Sequence, residues 1–116
     1  MIDSIIFFVS SPFSRRGYER FGIEILKKNG FRVGVVDCTP IVNNDFHEQY
    51  GKELSCQFES NEIVDTFKSA CEKIKKMESS RTVIVDLLGN NDLAIKLRFE
   101  IKCSDLLSMQ LYLGLL

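Results

Sequence analysis

The sequence predicts an α/β fold, a mostly parallel sheet of about four strands flanked by helices in the order βαβαβαβ. Three observations carry that prediction. Short apolar runs rich in Val, Ile and Phe recur along the chain, apolar stripes at helical spacing separate them, and Gly or Asn punctuates the joints.

Residues 2–9 form a nearly continuous apolar run, as a parallel strand buried on both faces requires. After a turn, Tyr18, Phe21, Gly22, Ile25 and Leu26 recur at helical spacing, with Glu19, Arg20, Glu24, Lys27 and Lys28 opposite them. This predicts one helix packed by one stripe on a sheet. Asn29-Gly30 stops it, because glycine adopts a left-handed helix end at no steric cost. Residues 31–36 (FRVGVV) are the second strand, ending at Asp37. Strand, helix and strand fill a βαβ unit of about 35 residues, which makes the two strands parallel.

Between residues 38 and 59, Pro40, Asn43, Asn44, Asp45 and Gly51 break any period. The expectation there is a long loop, with at most one helical turn near residues 46–50. From Ser60 onward, Ile63, Val64, Phe67, Ala70, Cys71, Ile74 and Met77 predict a second helix capped by Ser60 or Asn61. Residues 82–88 (TVIVDLL) are a third buried strand. Gly89-Asn90-Asn91-Asp92 is a turn whose polar side chains can cap a third helix with Leu93, Ala94, Leu97 and Ile101 inside, ending before Ser104. Residues 106–113 are a fourth strand. The order is Rossmann-like, with no internal repeat.

At 116 residues the chain fits one domain, 1–116. Fifteen basic residues against sixteen acidic ones supply no field for holding a polyanion, so nucleic acid is not an expected partner. No apolar run approaches the roughly 20 residues of a membrane span. Asp3 stands where a signal peptide would carry positive charge, and a cytoplasmic location is expected. Cys38, Cys56, Cys71 and Cys103 form no CxxC pair and His47 is the only histidine, so the cysteines read as reduced and structural, and neither a metal nor a cofactor is expected. The apolar ending LYLGLL predicts either a partner covering it, such as a second copy in a homodimer, or a further C-terminal domain in a longer protein.

Ligands of open parallel sheets bind at the carboxyl ends of the strands. The candidate segment is the first turn: Ser10, Ser11, Pro12, Phe13, Ser14, Arg15, Arg16 and Gly17. It lacks the glycines that let pyrophosphate approach backbone, and Pro12 and Phe13 would obstruct it, which argues against a dinucleotide loop. Three hydroxyls and two guanidinium groups could instead hold a phosphate, carboxylate or sugar. Two cations at a helix N-terminus oppose its dipole, and only Glu19 lies within helical reach of them. Ser14 either caps the helix or contacts a ligand. Asp37 either hydrogen-bonds a ribose or bonds its own turn with Thr39 and Pro40. Asn90, with Asn91 and Asp92, serves a ligand or the third helix. His47, with Asp45 and Glu48 nearby, could perform acid–base work if its loop folds over the site. No GxSxG elbow and no P-loop is present.

The stretch SPFSRRGYERFGIEILKKNG, residues 11–30, followed by FRVGVVDCTP, residues 31–40, resembles the N-terminal segment of bacterial surface-polysaccharide biosynthesis proteins with a Rossmann-like fold, some of them glycosyltransferase-like. Those proteins are longer than this chain. The resemblance implies a role in cell-envelope polysaccharide or lipopolysaccharide assembly. It implies an N-terminal domain that holds the acceptor while a second domain holds the nucleotide-sugar, so that this part would be inactive alone. It assigns no catalytic residue and carries over only residues 11–17, as a contact loop for a sugar, nucleotide-sugar or phosphate-bearing small molecule. Two alternatives stand beside it: a small non-catalytic module that self-associates through an edge strand, and a nucleotide-binding domain using Asp37.

Overall fold

The structure is a computed structural model that describes residues 1–55 and 60–110. The chain runs β1 (Ser4–Val9), α1 (Arg15–Arg20), α2 (Ile23–Lys28), β2 (Arg32–Asp37), α3 (Thr39–Val42), α4 (Asn44–Leu54), β3 (Asn61–Ile63), α5 (Phe67–Lys76), β4 (Thr82–Leu87), α6 (Asp92–Cys103) and β5 (Leu107–Gln110). All five strands are parallel and form one sheet in the order β3-β2-β1-β4-β5. The α/β, Rossmann-like architecture is as expected, with one strand more. β1 lies at the centre, and the strand order reverses between β1 and β4.

Alternation along the strands divides the core into two layers. Phe7, Val9, Val33, Val35 and Val85 pack with Tyr18 and Ile23, so α1 and α2 cover that face. Phe8, Val36 and Ile84 pack with Ala70 and Ile74 of α5 and with Ala94, Leu97 and Ile101 of α6 on the other. β1 is continuously apolar because both its faces are covered.

Three elements differ from the sequence expectation. The helix expected over residues 18–28 is two helices, because Gly22 takes φ +66° and starts α2 on a new axis. The break turns Ile23 fully into the core and leaves Ile25 66% exposed, while Tyr18, Phe21 and Leu26 of the predicted stripe pack on the core as expected. The expected stop is present: Gly30 at φ +90°, with Phe31 N–H donating to Leu26 O and Gly30 N–H to Lys27 O at 3.1 and 3.0 Å, closes a Schellman end.

Of the long loop expected over residues 38–59, residues 39–42 and 44–54 are helical, and residues 56–59 lie outside the described residues. Pro40 sits in the first turn of α3, where its missing N–H costs nothing, and Asn43 separates α3 from the eleven-residue α4. Pro40, Asn43, Asn44 and Asp45, read as breakers, thus stand at helix starts, and Gly51 lies inside α4. The helix expected from Ser60 begins at Phe67, capped by Thr66, whose hydroxyl accepts from Ser69 N–H at 3.1 Å. Residues 61–63 pair instead with residues 35–37 of β2 as β3. Without them the carbonyls and N–H groups along that side of β2 would form the sheet edge, a tertiary demand that overrides the local period. Of the fourth expected strand, β5 is seen. Residues 111–113 lie outside the described residues.

Candidate functional site

The reversal in strand order places the turns after β1 and β4 side by side at the carboxyl edge of the sheet, the switch point where open α/β sheets bind ligands. Hydrogen bonds join three turns there. Ser10 Oγ donates to Leu87 O at the end of β4 (3.3 Å), Cys38 N–H after β2 donates to Val9 O (2.8 Å), and Asn91 Nδ2 before α6 donates to Val42 O (2.9 Å). The turns that follow β1, β2 and β4 are thereby tied together.

Within the first turn the residues divide by role. Pro12 and Phe13 are buried. The Phe13 ring stacks on Phe21 at 5.8 Å between centroids, and Phe21 stacks on Phe7 of β1 at 5.2 Å. Gly17 lies over the Phe13 ring: a Cβ there would come within 3.2 Å of it. The turn is therefore pinned to the core by an aromatic plug, which leaves no exposed backbone cradle of the dinucleotide type. Ser14 caps α1, its Oγ accepting from Gly17 N–H at 3.2 Å. Ser11 remains exposed.

Arg15 and Arg16 both face solvent. Arg15 Nε lies 3.4 Å from Glu19, and its guanidinium sits 5.7 Å from the Tyr18 ring centroid. Glu19 is thus engaged by Arg15, and among the described residues Arg16 makes no ion pair. Among the described residues its guanidinium thus stands uncompensated in the turn after β1.

Asp37 is 0% exposed. Its Oδ1 accepts from Thr39 N–H at 2.9 Å and from the Thr39 hydroxyl, the turn-bonding role the sequence allowed, while Oδ2 is buried with no hydrogen-bond partner among the described residues. A ribose could reach this carboxylate only if the turn opened. Asn90 is exposed at the rim, and Asn91 caps α6 by accepting from Ala94 N–H at 2.9 Å. His47 lies on α4, its ring against Gly51 of the next turn with Nδ1 buried. Among the described residues no hydrogen bond joins it to Asp45 or to Glu48, and Glu48 accepts from Asn44 instead.

The sequence reading missed the strongest polar unit of this edge. Asp86, 2% exposed, receives Arg98 Nε at 2.5 Å on one oxygen, and Arg98 Nη2 at 3.3 Å with Leu88 N–H at 2.9 Å on the other. The same Nη2 donates to Gly89 O at 2.6 Å. The pair locks the β4 turn to α6. Its signal was one carboxylate inside the apolar run TVIVDLL, which a buried strand tolerates only when the charge is matched. Cys38 is fully buried among these groups. Burial first, then the charges of Asp37 and Asp86, push its thiol up to about 12, which suits a structural cysteine.

The opposite, amino-terminal end of the sheet holds a groove of about 560 Å³ lined in part by Gly34, Arg32, Arg81, Glu62 and Glu78. Its arginines are already engaged, Arg81 by Asp3 and Glu78 and Arg32 by Asp3, and the groove lies away from the switch point. Among the described residues no group of three His, Cys, Asp or Glu side chains is placed to hold a metal ion, and no helix is long and apolar enough to cross a membrane. Comparison with protein-family models, with curated proteins and with solved structures finds no significant match.

Proposed function

We propose that this chain is a ligand-binding α/β domain of surface-polysaccharide biosynthesis, glycosyltransferase-like in organisation. It holds a sugar, nucleotide-sugar or phosphate-bearing small molecule at the carboxyl edge of its sheet. The observation that carries the ligand class is the pair Arg15 and Arg16 beside the switch point, with one carboxylate between them and Arg16 unpaired among the described residues. The biosynthetic role rests on the resemblance of residues 11–40. In this reading Arg16 and Ser11 contact the anion or sugar, Arg15 adds charge, Asn90 stands at the rim, and Ser10, Ser14, Gly17 and Asp37 hold the turns that present them. The domain works without a cofactor and takes the acceptor side of the reaction.

The test is titration calorimetry with nucleotide-sugars and with inorganic phosphate. Replacing Arg15 and Arg16 together by Ala should weaken binding about tenfold or more, the order expected for losing charge-assisted hydrogen bonds to an anion. The melting temperature should barely change, since both side chains are exposed. Equal binding by wild type and the double variant would end the proposal.

A second reading, self-association through the sheet edge, has one observation in its favour. All four residues of β5 are exposed, none is charged, and Leu107 and Met109 project on the same face of the sheet as Val83 and Val85. A Met109→Lys variant that sediments as the wild type does would remove that support.

A further inference from the structure

On α6, Ala94, Leu97 and Ile101 are buried in the core, and Arg98 is turned inward to Asp86. The opposite side, with exposed Asp92, Lys96 and Lys102, also carries two large apolar side chains that a solvated face does not need. Ile95 is 51% and Phe99 64% exposed. With Asp92 and Lys102, both exposed, they fall at spacings of three, four and three residues, the a/d period of a helix-pairing seam. At 3.6 residues per turn the four lie within an arc of about 80°, roughly opposite the buried stripe. The macrodipole accounts for an acid in the first turn and a base in the last. It does not account for the two large apolar side chains between them.

The order acid, apolar, apolar, base is self-complementary when reversed. Set antiparallel about a twofold axis at Leu97, two copies bring Asp92 opposite Lys102, and Ile95 opposite Phe99, at both ends. Among the described residues neither Asp92 nor Lys102 makes an ion pair within the chain. Lys96, exposed on one flank of the seam, would come beside Lys96 of the second copy near the twofold axis, a like-charge contact that keeps the pairing weak. We propose that the outer face of α6 binds a second copy of this chain, antiparallel, through Asp92, Ile95, Phe99 and Lys102. The Asp92 end of this surface adjoins Asn90 at the rim of the carboxyl-edge site, and Ile95, Phe99 and Lys102 run away from it along α6. The surface differs from the β5 edge, because Leu107 and Met109 lie on the face of the sheet away from α6. Two twelve-residue helices bury a small interface, so the dimer is weak and reversible.

Sedimentation velocity over a series from micromolar to near-millimolar protein tests this. The wild type should pass from monomer to dimer, and Phe99→Lys should stay monomeric throughout. Asp92→Lys and Lys102→Asp should each weaken dimerisation about three- to tenfold, each change touching two symmetric contacts. The double variant should recover it. Because the double variant opposes the helix dipole at both ends, its melting temperature should fall while its dimerisation returns, so helix stability and pairing move in opposite directions. A wild type that is monomeric at every concentration would overturn the proposal. So would a dimer indifferent to Phe99→Lys, a double variant no better than the singles, or a dimer abolished by Met109→Lys in place of the α6 changes.

Discussion

Asp86 and Arg98 show at the level of single residues how a strand rich in Val and Ile carries a charge. A carboxylate at 2% exposure is tolerated because a guanidinium and a backbone N–H take up its oxygens. Replacing Arg98 by Met leaves that charge stranded and should lower unfolding stability by about 3–5 kcal/mol in urea titration. The Asp86→Leu/Arg98→Met double variant should recover much of the loss, since an apolar pair strands no charge. A double variant as weak as the single would mean that the bond to Gly89, and not the ion pair, matters. Cys38 gives a second residue-scale expectation. Its buried thiol, pushed up to about 12, should resist alkylation at pH near 8, whereas exposed Cys103 reacts. Peptide mapping after iodoacetamide treatment of the native chain checks this, and equal labelling of the two would contradict it.

Helix ends carry the next level. The end of α6 repeats the Schellman geometry that closes α2, with Leu106 N–H donating to Ile101 O and Asp105 N–H to Lys102 O. Here, however, the left-handed position is Asp105, at φ +57°. A side chain in that region carries strain that glycine lacks. Asp105→Gly should therefore stabilise the fold by about 0.5–1 kcal/mol, a few degrees in melting temperature. Calorimetric melting reads it, and a lower midpoint would show that the Asp105 side chain contributes more than its backbone costs. The same comparison explains why the end of α2 was legible from Asn29-Gly30 while its start was not. Gly30 stands after a periodic stripe, but Gly22 stands inside one and only its φ reveals a break.

Across the whole molecule, the amino-terminal edge is tied by one carboxylate. Asp3 receives Arg81 and lies 3.6 Å from Arg32, so it joins the starts of β1, β2 and β4. The hydrogen bond from Arg81 holds its carboxyl below the ordinary value of 3.8. A lowered carboxylate adds stability above its unfolded value and loses it as pH falls through the folded one. Wild type should thus be more stable than Asp3→Asn near neutrality, and the gap should close in acid below about pH 3.8. Urea titrations at neutral pH and near pH 3 measure the gap, and one that is constant with pH would assign the effect to something other than this charge.

The sequence by itself determined what depends on local pattern. The apolar runs of β1, β2 and β4 have to be buried on both faces, the stripes of α5 and α6 have to meet a sheet, and a turn with Pro12 and Phe13 in place of glycines leaves no dinucleotide cradle. The tertiary structure decided what depends on neighbours distant in the chain. The open side of β2 drew residues 61–63 out of a helical period into β3, Gly22 divided the first helix, and Arg98 found Asp86 across the turn. The candidate site follows the same division. Its place after β1 was readable from strand and turn chemistry, but which of its side chains are spent on the fold and which face solvent was settled only by packing, because burial and pairing belong to the assembled sheet and not to any one segment of it.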